Sequence, residues 1–587
     1  MRKRAVLALG CVLGIAAIPA ISAYDTQKSA EEARLFLRQI PNAQRITQAL
    51  NRLTYGARPG DEAAVRAMGL RKWIDLQLNP DQIPENPALA EKLRMLDTLG
   101  MTSAQMVRDY PSPQIVKQMV AGQVPFPTDP ERRRMIEKLV AKAEQKQKAG
   151  QAQDEKQPNP NVPDLQPLNE LLTREQIRSL RQGTPAERLA AFRALPEDKQ
   201  DEVIAALPGG MRQGFFQIAP PELRRKLELA NGPAQVVARD LVEGKLLRAV
   251  YSNRQLAEVL DDFWFNHFNI YLEKGADRYL VTEYERDVIR PRVLGKFRDL
   301  LEATAKSPAM LFYLDNWQSV GPDAPQPRGP TAKKGRRGLN ENYGRELLEL
   351  HTLGVDGGYT QKDVTEVARC FTGWTINQPQ RGGAFTFNPR LHDNGQKVVL
   401  GVTIPAGGGM EDGEKVLDIV AHHPSTAHFI STKLAERFVA DNPPPALVER
   451  MAQTFLKTGG DIRSVLRTML DSKEFWSEGA YRTKIKSPLE MVASAVRAVN
   501  GDVDFAFPLA NQVAQLGEPL YRKQEPTGYS NSSKEWMNSA GLLARMNFAL
   551  QLTNDKVPGV KVDSAKAAKP DDSSAGIALG SPDFQKK

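Results

Sequence analysis

The stretch from Asn340 to Trp374, NENYGRELLELHTLGVDGGYTQKDVTEVARCFTGW, decides the fold. It reads as a helix, a glycine-rich turn and a second helix. At about 100° per residue, Tyr343, Leu347, Leu348, Leu350 and His351 share one arc of the first helix, and Glu341, Asn342, Arg345, Glu346 and Glu349 share the other. Arg345 stands four residues from both Glu341 and Glu349. That spacing predicts an ion-pair ladder worth ~0.2–0.5 kcal/mol per pair and leaves Asn342 and Glu346 without an assigned partner. His351 falls near the helix C-terminus, where the macrodipole favours an imidazolium; on the core-facing arc it would instead meet His267 or His392. Thr360 and Asp363 have the spacing of a capping pair that opens the second helix.

Working outward, the same helical period recurs along the chain. Ala43 to Leu78 predicts two amphipathic helices around a turn at Gly56 to Gly60, and Leu256 to Ile270, LAEVLDDFWFNHFNI, predicts a strongly aromatic helix. Further helices are expected through Val499. The β signal is short: the runs AFTFNP and KVVLG flank Asp393-Asn394-Gly395 and predict one hairpin. The expected fold is mainly α, a multi-helical globular body with one small β-hairpin near 384–401.

At 587 residues the chain exceeds what one core usually supports. Residues 1–23 have the layout of a signal peptide, MRKR followed by an uncharged apolar run, with a retained anchor as the alternative. Residues 24–99 form an N-terminal helical part and residues 100–235 a polar insertion. Residues 236–554 form the main helical body, 555–574 a flexible linker and 575–587 a docking segment. Within the insertion, Leu195-Pro196, Leu207-Pro208 and Ala219-Pro220 recur every twelve residues. Val203, Phe215 and Leu227 each follow seven positions after the proline, a pattern of short stacked helices that pack on the body.

Composition narrows the function classes. The net charge of +9 includes Arg2, Lys3 and Arg4, so the rest of the chain carries +6, too little over this length to argue for nucleic acid. The basic cluster Arg328, Lys333, Lys334, Arg336 and Arg337 lacks interleaved aromatics and reads as a solvated loop able to attract an anionic envelope polymer. With Cys11 in the signal segment, Cys370 is the one remaining thiol and reads as a small buried hydrophobe. No stretch beyond the first reaches membrane-spanning length. All six histidines lie between His267 and His428, but HExxH, CxxC pairs, a phosphate-binding glycine loop and a glycine-flanked serine are absent.

FWFNHF, the opening stretch, LHDNGQKVVLG, HPSTAHFISTKLAERFVADNPPP and KIKSPLEMVASAVRA together resemble the bacterial family called domain of unknown function 1800. LTYGARPGDEAAVRAMGLRKWIDLQL and the closing SPDFQ resemble its ends. The resemblance implies a secreted or periplasmic, envelope-associated helical protein without an assigned reaction. Its implied partner is an exported protein of the domain of unknown function 1501 family, which resembles sulfatases. The motif residues carried over are Asn266, His267, Asn340, Glu341, Asn342, Arg345, Glu346, Glu349, His351, Asp363, His392 and Asp393. Gly344 departs from the expected alanine, which costs about 1 kcal/mol in a helix unless it permits close packing.

Two functions follow as expectations. The first is a binding or accessory protein of the envelope, with Arg345, Glu349, His351 and Asp363 as contacts for a partner or polymer. The second is a metal-dependent hydrolase in which Glu346, Asn342 and His267 are catalytic. Its divalent ion would be held by His392, Asp393 and Glu346, since such an ion needs three or four converging ligands.

Overall fold

Helix Pro233–Tyr251 is the axis of the main body. It starts with proline after Gly232 and is buried on nearly every side, with Asp240, Glu243 and Lys245 buried among its apolar residues. Helices Gln255–His267, Asp277–Glu283, Pro488–Ala498 and Phe507–Gln515 pack against it. The computed structural model describes residues 31–150, 167–325, 338–537, 539–562 and 578–587. The signal segment, most of the linker after Asp555 and the basic cluster from Arg328 to Arg337 lie outside the described residues. The protein is 62% helical; among the described residues the sheets are small, antiparallel and two-stranded, and no helix is long and apolar enough to cross a membrane.

The opening stretch forms helix Asn342–Glu346, which widens directly into a π-helical turn over Leu347–Thr352. The Leu353 amide donates to the Leu348 carbonyl, and the Thr352 hydroxyl donates to the Leu347 carbonyl at 2.6 Å. Gly354 and Gly358 then take positive φ to turn the chain. The second helix runs Gln361–Cys370 with a full capping box between Thr360 and Asp363. Burial follows the expected arc, since Tyr343, Leu347, Leu348 and His351 are buried and Asn342 is exposed.

Two local expectations need correction. Ala43 to Leu78 gives three helices rather than two, Asn42–Leu53, Asp61–Met68 and Leu70–Gln77, because Gly69 at positive φ breaks the second. The single hairpin near 384–401 is in fact two: Phe385–Phe387 pairs with Trp374–Ile376, and Lys397–Val399 pairs with Val402–Ile404. The expected strands do not pair with each other, because each finds a nearer partner across a short connection. A third ladder joins Asp502–Val503 to Val560–Lys561.

The repeats of the insertion form helices Glu197–Ala206, Gly209–Ile218 and Pro221–Asn231, each preceded by Pro196, Pro208 or Pro220. Val203, Phe215 and Leu227 are buried together in a cluster separate from the main core. That unit meets the body through Arg225–Asp240 and Arg239–Glu228 ion pairs and through Phe505, which stacks under Arg224. Residues 578–587 return to the body, where Lys586 bridges Ile485 and Leu579 is buried.

Candidate functional site

The polar residues of the opening stretch find partners that the ladder did not anticipate. Arg345 donates to Gln361 at 2.6 Å rather than pairing with either glutamate. Glu341 accepts from Gln361 and Thr365, and Glu349 accepts from Tyr359 at 3.1 Å. The second helix of the motif and the turn before it supply these neutral partners, which outcompete an exposed i,i+4 ion pair of a few tenths of a kcal/mol. Asp363 closes the capping box and also accepts from the Leu400 amide at 2.8 Å. Against burial, these hydrogen bonds hold its carboxyl below the ordinary value. Glu346 is half-buried, and burial together with the Glu349 charge pushes its carboxyl up. Asn342 stays on the surface.

His392 and Asp393 belong to a different cluster. The His392 Nδ1–H donates to the Thr372 carbonyl at 2.8 Å, while Nε2 lies 3.0 Å from Asp412 and 3.4 Å from the Lys397 ammonium. Lys397 in turn pairs with Asp412 at 2.5 Å. Asp393 is clamped by Arg369 through two hydrogen bonds and accepts from the Gly395 amide. The expected ligand set of His392, Asp393 and Glu346 does not converge, because His392 is held by Thr372 and Asp412, Asp393 is clamped by Arg369, and Glu346 lies on another element. No group of three or more His, Cys, Asp or Glu side chains arranged to hold a metal occurs among the described residues.

The structure does bring His267 and His351 together. Their rings stand 6.3 Å apart, and His267 Nε2 lies 3.0 Å from the His351 carbonyl. Burial and the neighbouring Lys433 charge push His351 down to about 3 and hold His267 well below its ordinary value. The imidazolium expected at the helix end is thus corrected, since the cost of burying a charge exceeds a dipole effect of a fraction of a kcal/mol. Cys370 is buried and its thiol is pushed up to about 12 by that burial.

A charged cavity lies elsewhere. A cavity of about 40 Å³ is walled by helices Pro233–Tyr251, Gln255–His267, Pro424–Phe438 and Pro488–Ala498, with segments 518–536 and Lys587 completing it. Lys245, Arg437, Lys484 and Lys587 line it beside Asp262, Glu490 and Glu518. Lys245 pairs with Asp262 at 3.1 Å, Arg437 with Glu490 at 2.5 Å, and Lys587 also reaches Glu490. Asn266 closes one wall by accepting from the Tyr529 amide at 2.6 Å and donating to its carbonyl at 2.7 Å.

Electrostatics there are divided. Burial raises the Glu490 carboxyl, but the Arg437 and Lys587 charges outweigh it and hold it far below the ordinary range. Burial and the Asp262 charge raise Glu518 to about 7. Arg437 is only 6% exposed, and its Nη2 makes no hydrogen bond, lying 3.9 Å from Asp262. A buried guanidinium nitrogen without a partner is costly unless something else satisfies it. The space suits about three waters or one small oxyanion.

Of these residues, only Asn266 stood out in the sequence. The signal that could have found one of the others is a lone charge inside an apolar helix, Glu490 in SPLEMVASAV, whereas Glu243 beside Lys245 and Glu436 beside Arg437 hide those two. Burial of such a group requires a partner, so the isolated charge points to an unseen counter-charge.

The family model described as "Protein of unknown function (DUF1800)" matches residues 48–581. No curated protein and no solved structure matches the chain. The cavity gathers residues from FWFNHF, from LAERFVADNPPP and from KIKSPLEM, segments far apart in sequence. With a match over nearly its whole length, the chain belongs to the DUF1800 family of proteins of unknown function.

Proposed function

We propose that the protein is an exported binding or accessory protein of the cell envelope, and that its charged cavity receives a small acidic group carried by an envelope polymer. The observation that carries this reading is the buried Arg437 Nη2, without a hydrogen-bond partner in a cavity lined by four cations and three carboxyls. One of those carboxyls, Glu518, is raised to about 7 and is only part-ionised near neutrality. An oxyanion would satisfy the unpartnered guanidinium nitrogen. Export is supported by the apolar run after MRKR and by what the family resemblance implies.

The test is the thermal midpoint of the full chain in sulfate, phosphate or acetate, at ionic strength held constant with chloride. One anion is expected to stabilise saturably, since a ligand at a hundred times its Kd adds about 2.7 kcal/mol. Arg437→Lys, which keeps the charge facing Glu490 but removes the free nitrogen, is expected to abolish that response. Equal stabilisation of wild type and Arg437→Lys, or none in either, would sink the reading.

A further inference from the structure

Lys397, His392 and Asp412 form a triad closed to solvent. The Lys397 and His392 side chains are wholly buried and that of Asp412 is 2% exposed. Lys397 Nζ stands 2.5 Å from Asp412 Oδ2, the same oxygen that lies 3.0 Å from His392 Nε2, and Nζ and Nε2 are 3.4 Å apart. The loop before helix Glu411–Ala421 covers the carboxyl: a Cβ on Gly408 would fall 2.0 Å from Asp412 Oδ1, so only glycine lets the backbone pass there. Phe387 meets the imidazole edge-on at 5.5 Å.

The hydrogen bonds place a proton between acid and imidazole. The Thr372 carbonyl can only accept, so Nδ1 carries a proton and Nε2 of the neutral ring offers a lone pair. A lone pair 3.0 Å from a carboxylate oxygen is repulsive unless a proton lies between them. Lys397 is the donor beside that contact. Passing one ammonium proton into it turns a buried ion pair into an uncharged amine next to an uncharged acid. Water would hold such a pair charged, whereas exclusion of solvent makes two ions costly and favours the neutral form. The Asp393 carbonyl accepts another N–H of Lys397 and so orients the nitrogen. An uncharged amine fixed on a carboxylic acid is the reactant pair for an amide, and the fixed contact replaces a bimolecular encounter.

We propose that Lys397 and Asp412 join in an isopeptide bond, with His392 as the catalytic residue. Nζ attacks Cγ, one bond beyond the oxygen that it already touches. His392 Nε2, within reach of both atoms, takes a proton from the nitrogen and returns it to Oδ2. The Nζ–Cγ bond forms, the Cγ–Oδ2 bond breaks, and Oδ2 leaves with two protons as water, so no oxidant or co-reactant is needed. The product ties strand Lys397–Val399 to helix Glu411–Ala421 and fixes that hairpin on the body. The bond is independent of the charged cavity and of its ligand.

The experiment maps peptides of the purified full chain by mass spectrometry after denaturation and trypsin. A branched peptide joining the segment with Lys397 to the segment with Asp412 is expected, lighter than the two together by one water and uncut after Lys397. Lys397→Arg and His392→Gln are each expected to yield separate peptides of full mass. The wild-type peptide is itself the primary readout, so misfolding of a variant does not decide the test. Separate, unmodified Lys397 and Asp412 peptides in the wild type would overturn the bond. Loss of one water that persists in Lys397→Arg would mark cyclisation of the Asp412-Gly413 backbone and would overturn it as well. An undiminished yield of branched peptide in folded His392→Gln would overturn the role given to His392.

Discussion

Glu518 shows how far a single residue departs from what its type suggests. Its carboxyl is raised from 4.5 to about 7 by burial and by the Asp262 charge, although the Leu489 amide donates to it at 2.9 Å. A raised acid keeps its proton in the folded state while the unfolded chain has already released it. Its cost to stability is therefore absent below pH 4.5, grows as pH rises toward 7 and is constant above that. The full shift corresponds to roughly 3 kcal/mol. Glu518→Gln is expected to be more stable than wild type by about 1–3 kcal/mol at pH 8 and equal to it near pH 4.5, read by guanidinium unfolding at both pH values. A stability difference independent of pH would refute this account. At this scale the sequence was legible where partners are local, as with Thr360 and Asp363. It was silent on Lys245 and Arg437, whose partners sit on other helices and leave no mark on local spacing.

At the scale of elements, the helical period predicted which side of the opening helix is buried, but not that it widens into a π turn after Glu346. Strand pairing was misread for a related reason: short runs carry β propensity but no record of which neighbour they meet. Gly344 was legible only as a departure. A side chain there would bring Cβ to 2.9 Å from the Val364 carbonyl oxygen and 3.1 Å from the Ala368 amide nitrogen, both backbone atoms of helix Gln361–Cys370. The glycine thus permits the two helices of the motif to touch. Propensity alone would make Gly344→Ala a gain of about 1 kcal/mol. Overpacking against backbone is expected to reverse the sign and cost about 1–3 kcal/mol. A denaturation midpoint above that of wild type would show that the crossing can relax.

Among the described residues, the repeats of the insertion form one of three apolar clusters and meet the body across a charged and aromatic seam. The repeats of the insertion have their own core, and Phe505 sits between that unit and the body, 5.6 Å from Phe216 and 3.9 Å beneath the Arg224 guanidinium. A cleft of about 750 Å³ opens beside it, lined by both units. The twelve-residue repeat made the stacked helices readable, but the seam depends on Arg225, Arg239 and Phe505, which are brought together only by the fold. Across the seam, Phe505→Ala removes one aromatic pair and one cation–π contact, worth about 0.5–1.5 and about 0.5–2 kcal/mol. If the insertion opens as a unit, its helices from Arg174 to Asn231 should exchange amide hydrogens about tenfold or more faster in the variant. The buried helix Pro488–Ala498 should keep its protection, because its packing lies wholly within the body core. Equal acceleration in both regions would mean that insertion and body unfold as one cooperative unit, and that the seam contributes to global stability instead of setting an independent opening.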